Sequence, residues 1–290
     1  MVDKVAGVAN EAMQKDWSAG GVGWAANERI FDAVLAPFGE AVMRAAELQT
    51  GHRVLDIGCG TGALIEQAVS VGASAMGVDL SEAMVDAARK RVSAATVVLA
   101  DAQTADLRAA GAGLPFDRVV SRFGVMFFEG PVAAFANIRA AAAPDAVLAF
   151  VCWRNGDNPM FTLGNSVLLD RLETPPAAGD PAAPGPLAFG DAERVRTVLA
   201  DAGWTDIDIE PFDGVCDYGI DGSDGVEERL AVVLSSRTGR VARTELQPRL
   251  GADGWAALLE EVRSELRSNL VDGVVKFVGR VWVVRAINRG

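Results

Sequence analysis

The chain has 290 residues, with 27 basic and 39 acidic side chains and a net charge of −12. Half of it is hydrophobic and its mean hydropathy is +0.20, so a large core is available, yet no apolar run approaches the roughly 18 residues of a membrane span. The acidity repels phosphate backbones and argues against nucleic acid as a general partner. The start, Met1 to Ala6, lacks a basic-then-apolar leader pattern, and a cytoplasmic location is expected. The three cysteines, Cys59, Cys152 and Cys216, are far apart and lack metal-ligand spacing. Free thiols in a reducing compartment, and no metal, are expected.

Residues 1–50 read as helical. Ile30, Phe31, Val34, Leu35, Phe38, Val42 and Met43 fall at helical spacing, and Pro37 is expected to kink or split that helix. Before it, Trp17 and Trp24 flank a glycine-rich turn. A buried strand, Val54 to Ile57, runs into the turn Gly58-Cys59-Gly60-Thr61-Gly62 and then a helix from Ala63 to Val71. Glycines let backbone approach a ligand closely, and the helix N-terminus offers unpaired N–H groups. A second strand, Ser74 to Val78, ends on Asp79, about 20 residues beyond the glycine turn, where a carboxylate can accept ribose hydroxyls. A nucleoside-containing cofactor at the C-terminal edge of a parallel sheet is the resulting expectation.

Ser81 reads as the N-cap of a helix to about Val92, and Leu80 and Met84 would flank an adenine. Strands follow at 97–100, 116–120 and 146–152, with a short helix and loop over 107–113 and a helix opened by Pro131 and ending near Ala143 to Asp145. Trp153 and Arg154 leave the fifth strand at the functional edge, as Arg122 leaves the fourth; all three are candidate substrate contacts. Phe127 and Phe128 form either a hydrophobic mouth or a core cluster. Residues 161–172 read as a helix over the site, and 175–186 hold five of the twelve prolines in a connection without periodicity. A helix over 191–202 and an alternating strand over 205–210 precede two helical stretches within 225–272 and a last strand, Val274 to Ile287. Those helical stretches read as a lid shaping the substrate pocket or, alternatively, as a dimer interface or scaffold element.

The string Val54-Leu55-Asp56-Ile57-Gly58-Cys59-Gly60-Thr61-Gly62 resembles motif I of class I S-adenosylmethionine-dependent methyltransferases, in the ubiquinone/menaquinone-methyltransferase-like group. Gly77-Val78-Asp79-Leu80-Ser81, Ala100-Asp101-Ala102-Gln103 and Val119-Val120-Ser121-Arg122-Phe123 resemble its second, third and fourth motifs in order. A nicotinamide or flavin domain is the structural rival, but the dinucleotide fingerprint spaces its glycines G-x-G-x-x-G, whereas Gly58, Gly60 and Gly62 give G-x-G-x-G. The resemblance implies a Rossmann-like α/β fold, a seven-stranded sheet in order 3-2-1-4-5-7-6 with the last strand antiparallel, and S-adenosylmethionine as cofactor. It places Asp56, Gly58, Cys59, Gly60, Thr61, Gly62, Asp79, Leu80, Met84, Asp101, Ala102, Gln103, Ser121 and Phe123 around the cofactor, with Asp101 on the adenine amino group and Trp17 or Trp24 over the methionine end. Arg122, Phe127, Trp153 and Arg154 remain for the acceptor.

A single domain over 1–290 is expected: a helical segment over the cofactor (1–50), the cofactor-binding core (51–153), and substrate-side insertions at 154–190 and 213–272. The expected reaction is in-line transfer of a methyl group to a small, largely apolar or aromatic acceptor, driven by alignment. The alternatives are a non-catalytic S-adenosylmethionine-binding partner protein and an RNA methyltransferase; a homodimer is open. The single histidine, His52, starts the first strand at the edge opposite the glycine turn and is a poor base. Tyr218, Asp157 and Asp213 are candidate bases without a commitment to any; the catalytic set stays open.

Overall fold

The computed structural model describes residues 11–175, 180 and 183–290. The leader reading of the first six residues, and 176–179 and 181–182 of the proline-rich connection, lie outside that range. Two helices, α1 (Glu11–Ala26) and α2 (Glu28–Ala46), precede the sheet. The glycine-rich stretch between Trp17 and Trp24 is not a turn but the second half of α1. Its glycines are needed for close packing: a Cβ added at Gly21 would sit 2.2 Å from Ser81 Oγ, and one at Gly23 would sit 2.9 Å from Ser235 Cβ. Pro37 likewise fails to split α2. A mid-helix proline costs about 3 kcal/mol, but Phe31, Val34, Leu35, Phe38, Ala41 and Val42 are all buried from this helix. Burying each large one is worth about 1.5–3 kcal/mol, which outweighs the proline.

The chain then alternates. β1 (Arg53–Ile57), α3 (Ala63–Ser70), β2 (Ser74–Asp79), α4 (Glu82–Arg91), β3 (Thr96–Leu99), α5 (Leu107–Ala110) and β4 (Phe116–Arg122) lead into a 3-10 turn, Val125–Phe127. After it come α6 (Pro131–Ala141), β5 (Ala142–Trp153), α7 (Pro159–Thr162), α8 (Asn165–Leu169), α9 (Ala192–Asp201) and β6 (Thr205–Asp217). A second 3-10 turn, Ile220–Gly222, leads to α10 (Val226–Ser235), α11 (Arg237–Ser268) and β7 (Lys276–Ile287).

The seven strands form one sheet in the order β3-β2-β1-β4-β5-β7-β6. β1 to β5 are mutually parallel, while β7 runs antiparallel to both neighbours. Fold and strand order are those expected. Val54, Leu55, Val119, Val120 and Leu148 to Cys152 are almost wholly buried, because helices cover both faces of the parallel part. Pairing Asp56 with Gly77 and Ile57 with Val78 brings the glycine turn level with the tip of β2.

Several boundaries differ from those read in the sequence. β6 extends past Glu210 to Asp217, because β7 pairs along its whole length. The helix expected over 161–172 is two short ones, α7 and α8, separated at Gly164, whose φ of +83° ends regular helix. α6 stops at Ala141, and the residues read as its end belong to β5. α11 is interrupted at Gly251, where φ is +70°.

Candidate active site

The site forms where the parallel strands end. Gly58 N and Cys59 N both donate to Val78 O, at 2.9 and 3.1 Å, bending the chain sharply out of β1. Gly58 (φ +64°) passes so close to the loop after β4 that an added Cβ would lie 2.7 Å from Gly124 Cα. Gly60 (φ +54°) differs: a Cβ there would meet no protein atom within 4 Å. One glycine packs backbone on backbone, while the other opens on empty space. Gly60 N donates to Asp79 Oδ2 at 2.9 Å, and Ser81 N donates to Asp79 Oδ1 at 2.9 Å. Ser81 does occupy the N-cap of α4, but its hydroxyl makes no capping bond; Asp79 organises that corner instead.

Beside the turn lies a cavity of about 510 Å³, within the range of small-molecule sites. Asp56, Gly58, Cys59, Gly60 and Thr61 line it from the turn, Asp79, Leu80 and Met84 from the second strand and its helix, and Asp101 and Ala102 from the third. Four residues expected at the cofactor or acceptor stand outside its wall. Gly62 caps α3 against Ala88. Gln103 Oε1 accepts from Gly130 N. Ser121 Oγ donates to Ile57 O at 2.7 Å and accepts from Gly124 N, bracing the turn from below. Arg154 turns to Asp213 and lies over the Trp282 ring.

The rest of the wall is aromatic. Trp24 stacks on Phe31 with centroids 3.7 Å apart, and Trp17 meets Phe127 edge-on at 5.0 Å. Phe123 stacks on Trp153 at 4.2 Å. Phe123 holds a φ of +66°, which costs an L-residue on the order of 1–2 kcal/mol and is characteristic of functional corners. α7 and α8 add Met160, Phe161 and Asn165 to the wall. The elbow between α10 and α11 adds Arg229, Val232 and Ser235 to Thr238, and Pro184 to Pro186 close another side. Sequence reading set helical segments within 161–172 and 225–272 over the site but did not single out these residues as its wall. A signal existed for Arg229, which interrupts the apolar spacing of Val226, Leu230 and Val233 on one face of α10. Tyr218, Asp157 and Asp213 are not in the cavity wall, and His52 lies at the far end of β1, where its Nδ1 accepts from Gln49 N.

Burial dominates the electrostatics. Desolvation pushes the Asp56 carboxyl up to about 7, against the pull of Arg122 and with some help from Asp79. Its Oδ1 is buried with no hydrogen-bond partner among the described residues. Burial also raises Asp79, although the N–H groups of Ser81, Gly60 and Leu80 oppose it. Arg122 is buried between Asp56 and Asp32, with its Nη2 3.7 Å from Asp32 Oδ1. Arg91 ties Asp32 to Glu66 on the outer side. Burial holds the thiols of Cys59, Cys152 and Cys216 in the neutral form, Cys216 at about 12.

The open cradle at Gly60, the carboxylate at the tip of the second strand and the unpartnered Asp56 oxygen fit a ligand with ribose hydroxyls and a cationic end. Together with the strand order, they are the features expected of a class I S-adenosylmethionine-dependent methyltransferase domain that binds S-adenosylmethionine as cofactor. Residues 54–145 match the family model described as methyltransferase domain. The aklanonic acid methyltransferase DauC of Streptomyces sp. strain C5 is 30% identical over 156 residues, covering 51% of this chain and 66% of that protein. The ubiquinone biosynthesis O-methyltransferase of Mesorhizobium japonicum is 36% identical over 92 residues, 32% of this chain and 36% of that protein. The chain thus spans just under two thirds of the first relative's length and about a third of the second's. Among solved structures, YcgJ of Bacillus subtilis superposes with a TM-score of 0.55 at 15% identity, covering 88% of this chain and 99% of that one. A putative methyltransferase of Bacillus halodurans gives 0.53 at 16%, covering 87% and 99%. At such identities the superpositions speak to the fold.

Proposed function

We propose that the chain transfers the S-adenosylmethionine methyl group to a small, largely apolar or aromatic acceptor. One observation carries this reading: the glycine cradle and the aromatic chamber are parts of a single continuous cavity. In this reading Asp79 accepts the ribose hydroxyls on lone pairs left over from Gly60 N and Ser81 N, and Leu80 and Met84 flank the adenine beside Asp101 and Ala102. Asp56 faces the cationic end of the ligand's methionine portion. α1 and the α10–α11 elbow cover the cavity, with Trp17 and Trp24 over the reacting region.

The sulfonium is already an activated leaving group when the cofactor is bound. The protein's task is to align acceptor and methyl group and to exclude water, which supplies on the order of 7–11 kcal/mol in well-aligned systems. The stacked pairs Trp24–Phe31 and Phe123–Trp153 provide flat, rigid walls for that alignment. None of the candidate bases read from the sequence, Tyr218, Asp157 and Asp213, stands in the wall, and the acceptor is expected to arrive ionised or activated at carbon.

Thermal melts with S-adenosylhomocysteine and with NAD test the cofactor side: a large upward shift is expected with the first alone, and a shift with NAD alone overturns the reading. Single-turnover mass spectrometry with aromatic acceptors tests the transfer; cofactor binding with no methylated product across the panel favours a non-catalytic binder. RNA offered as acceptor is expected to stay unmodified.

A further inference from the structure

Arg229 is 0% exposed. An isolated buried charge is strongly disfavoured unless paired. Among the described residues no carboxylate lies within ion-pair distance of it. Its partners are neutral: Nε donates to Leu163 O at 3.1 Å, and Nη2 donates to Met160 O at 2.9 Å and Leu163 O at 2.7 Å. Nη1 donates to Tyr218 Oη at 3.0 Å and contacts Met160 Sδ at 3.7 Å. The guanidinium also lies over the rings of Tyr218 and Phe277. Carbonyl dipoles satisfy the N–H groups without cancelling the charge. Of these contacts the thioether is the weakest acceptor.

Arg229 and Met160 both belong to the cavity wall, while Tyr218 stands behind it. Met160 is an unbranched side chain that can change rotamer at little cost. We propose that Arg229 Nη1 is the recognition point for an anionic oxygen of the acceptor, taken up when Met160 Sδ moves aside. The acceptor class is then an acidic aromatic molecule: the chamber walls receive its rings and Arg229 its carboxylate or phenolate. This deepens, and rests on, the methyltransferase reading. It also agrees with a wall from which Tyr218, Asp157 and Asp213 are absent, because Arg229 favours acceptors that bind already ionised.

The experiment is calorimetry on the full chain saturated with S-adenosylhomocysteine. The probes are 2-naphthoate against 2-naphthamide, for a carboxylate, and 4-nitrophenolate against 4-nitroanisole, for a phenolate. A charge-assisted hydrogen bond predicts that at least one anion binds about tenfold or more tightly than its neutral counterpart; which pair shows it identifies the oxygen. Met160→Ala is expected to widen that ratio by freeing Nη1, and Arg229→Gln to abolish it while S-adenosylhomocysteine affinity stays within about twofold. Should Arg229→Gln fail to fold, Met160→Ala alone decides. Equal affinity for anion and neutral probe in both pairs, or no binding of either anion even in Met160→Ala, overturns the assignment. Failure of S-adenosylhomocysteine to bind the unaltered chain overturns the cofactor reading beneath it.

Discussion

Asp79 and Gly60 are tied directly: the backbone N–H in the middle of the glycine turn donates to the carboxylate at the end of β2, at 2.9 Å. The residue proposed to grip the ribose therefore also sets the shape of the turn proposed to admit the cofactor. Asp79→Ala should lower S-adenosylhomocysteine affinity at least about tenfold and, by leaving two N–H groups without their acceptor, cost about 1–3 kcal/mol of stability. Asp79→Asn keeps an acceptor oxygen and should recover part of the stability but little of the affinity. Calorimetry and denaturant melts read both quantities; unchanged affinity in either variant rejects the ribose assignment.

Gly58 and Gly60 should respond differently to the same substitution. Gly58→Ala drives a Cβ to 2.7 Å from Gly124 Cα, backbone that cannot yield, and should destabilise the whole domain. Gly60→Ala meets no protein atom, so it should cost only the backbone strain of about 1–2 kcal/mol, while the new methyl group occupies ligand space. Loss of binding in a folded Gly60→Ala protein is the expected result. A folded Gly60→Ala variant that still binds S-adenosylhomocysteine with full affinity places the ligand elsewhere.

Asp56 should impose a pH dependence on the unliganded protein. Its carboxyl titrates at about 7 when folded, against an ordinary 3.8. Between those values the folded state keeps a proton that the unfolded chain has lost. Stability must therefore fall as pH rises through that window, by at most about 1.4 kcal/mol per pH unit, and level off above it. Asp56→Asn should flatten the decline, and Asp79, raised in the same direction, would leave a residue of it. Urea midpoints from pH 5 to 8 check this; an unaltered slope in Asp56→Asn refutes the role given to burial.

The approach of α1 to α4 depends on Gly21 lying against Ser81. Gly21→Ala would place a Cβ 2.2 Å from Ser81 Oγ and should push α1 off the cavity, seen as faster proteolysis within 11–26 and weaker S-adenosylhomocysteine binding. Adding Ser81→Gly removes the obstructing side chain and should restore both, with a coupling of about 0.5–3 kcal/mol. Independent, additive effects would show that α1 does not cover the site through this contact.

Most of the fold was legible in the sequence because it rests on local pattern. A strand, Gly58 to Gly62, a helix and then Asp79 at the next strand's tip are set by backbone sterics and spacing, and the ordered motifs supplied the strand order. The reading failed where a side chain's meaning depends on what lies opposite it. Gly20 to Gly23 looked like a turn because a glycine's tolerance of tight turns is a local property, whereas its use as a flat packing face against Ser81 and Ser235 is not. Ser121 and Arg154 lie at strand ends as expected, yet one braces Ile57 O and the other pairs with Asp213. The sequence by itself determined the domain class, the sheet and the glycine turn after β1. Tertiary structure alone decided which residues join Arg122, Phe127 and Trp153 in the cavity wall, because Met160, Arg229 and the α10–α11 elbow come from elements distant in the chain and meet only once the sheet is formed.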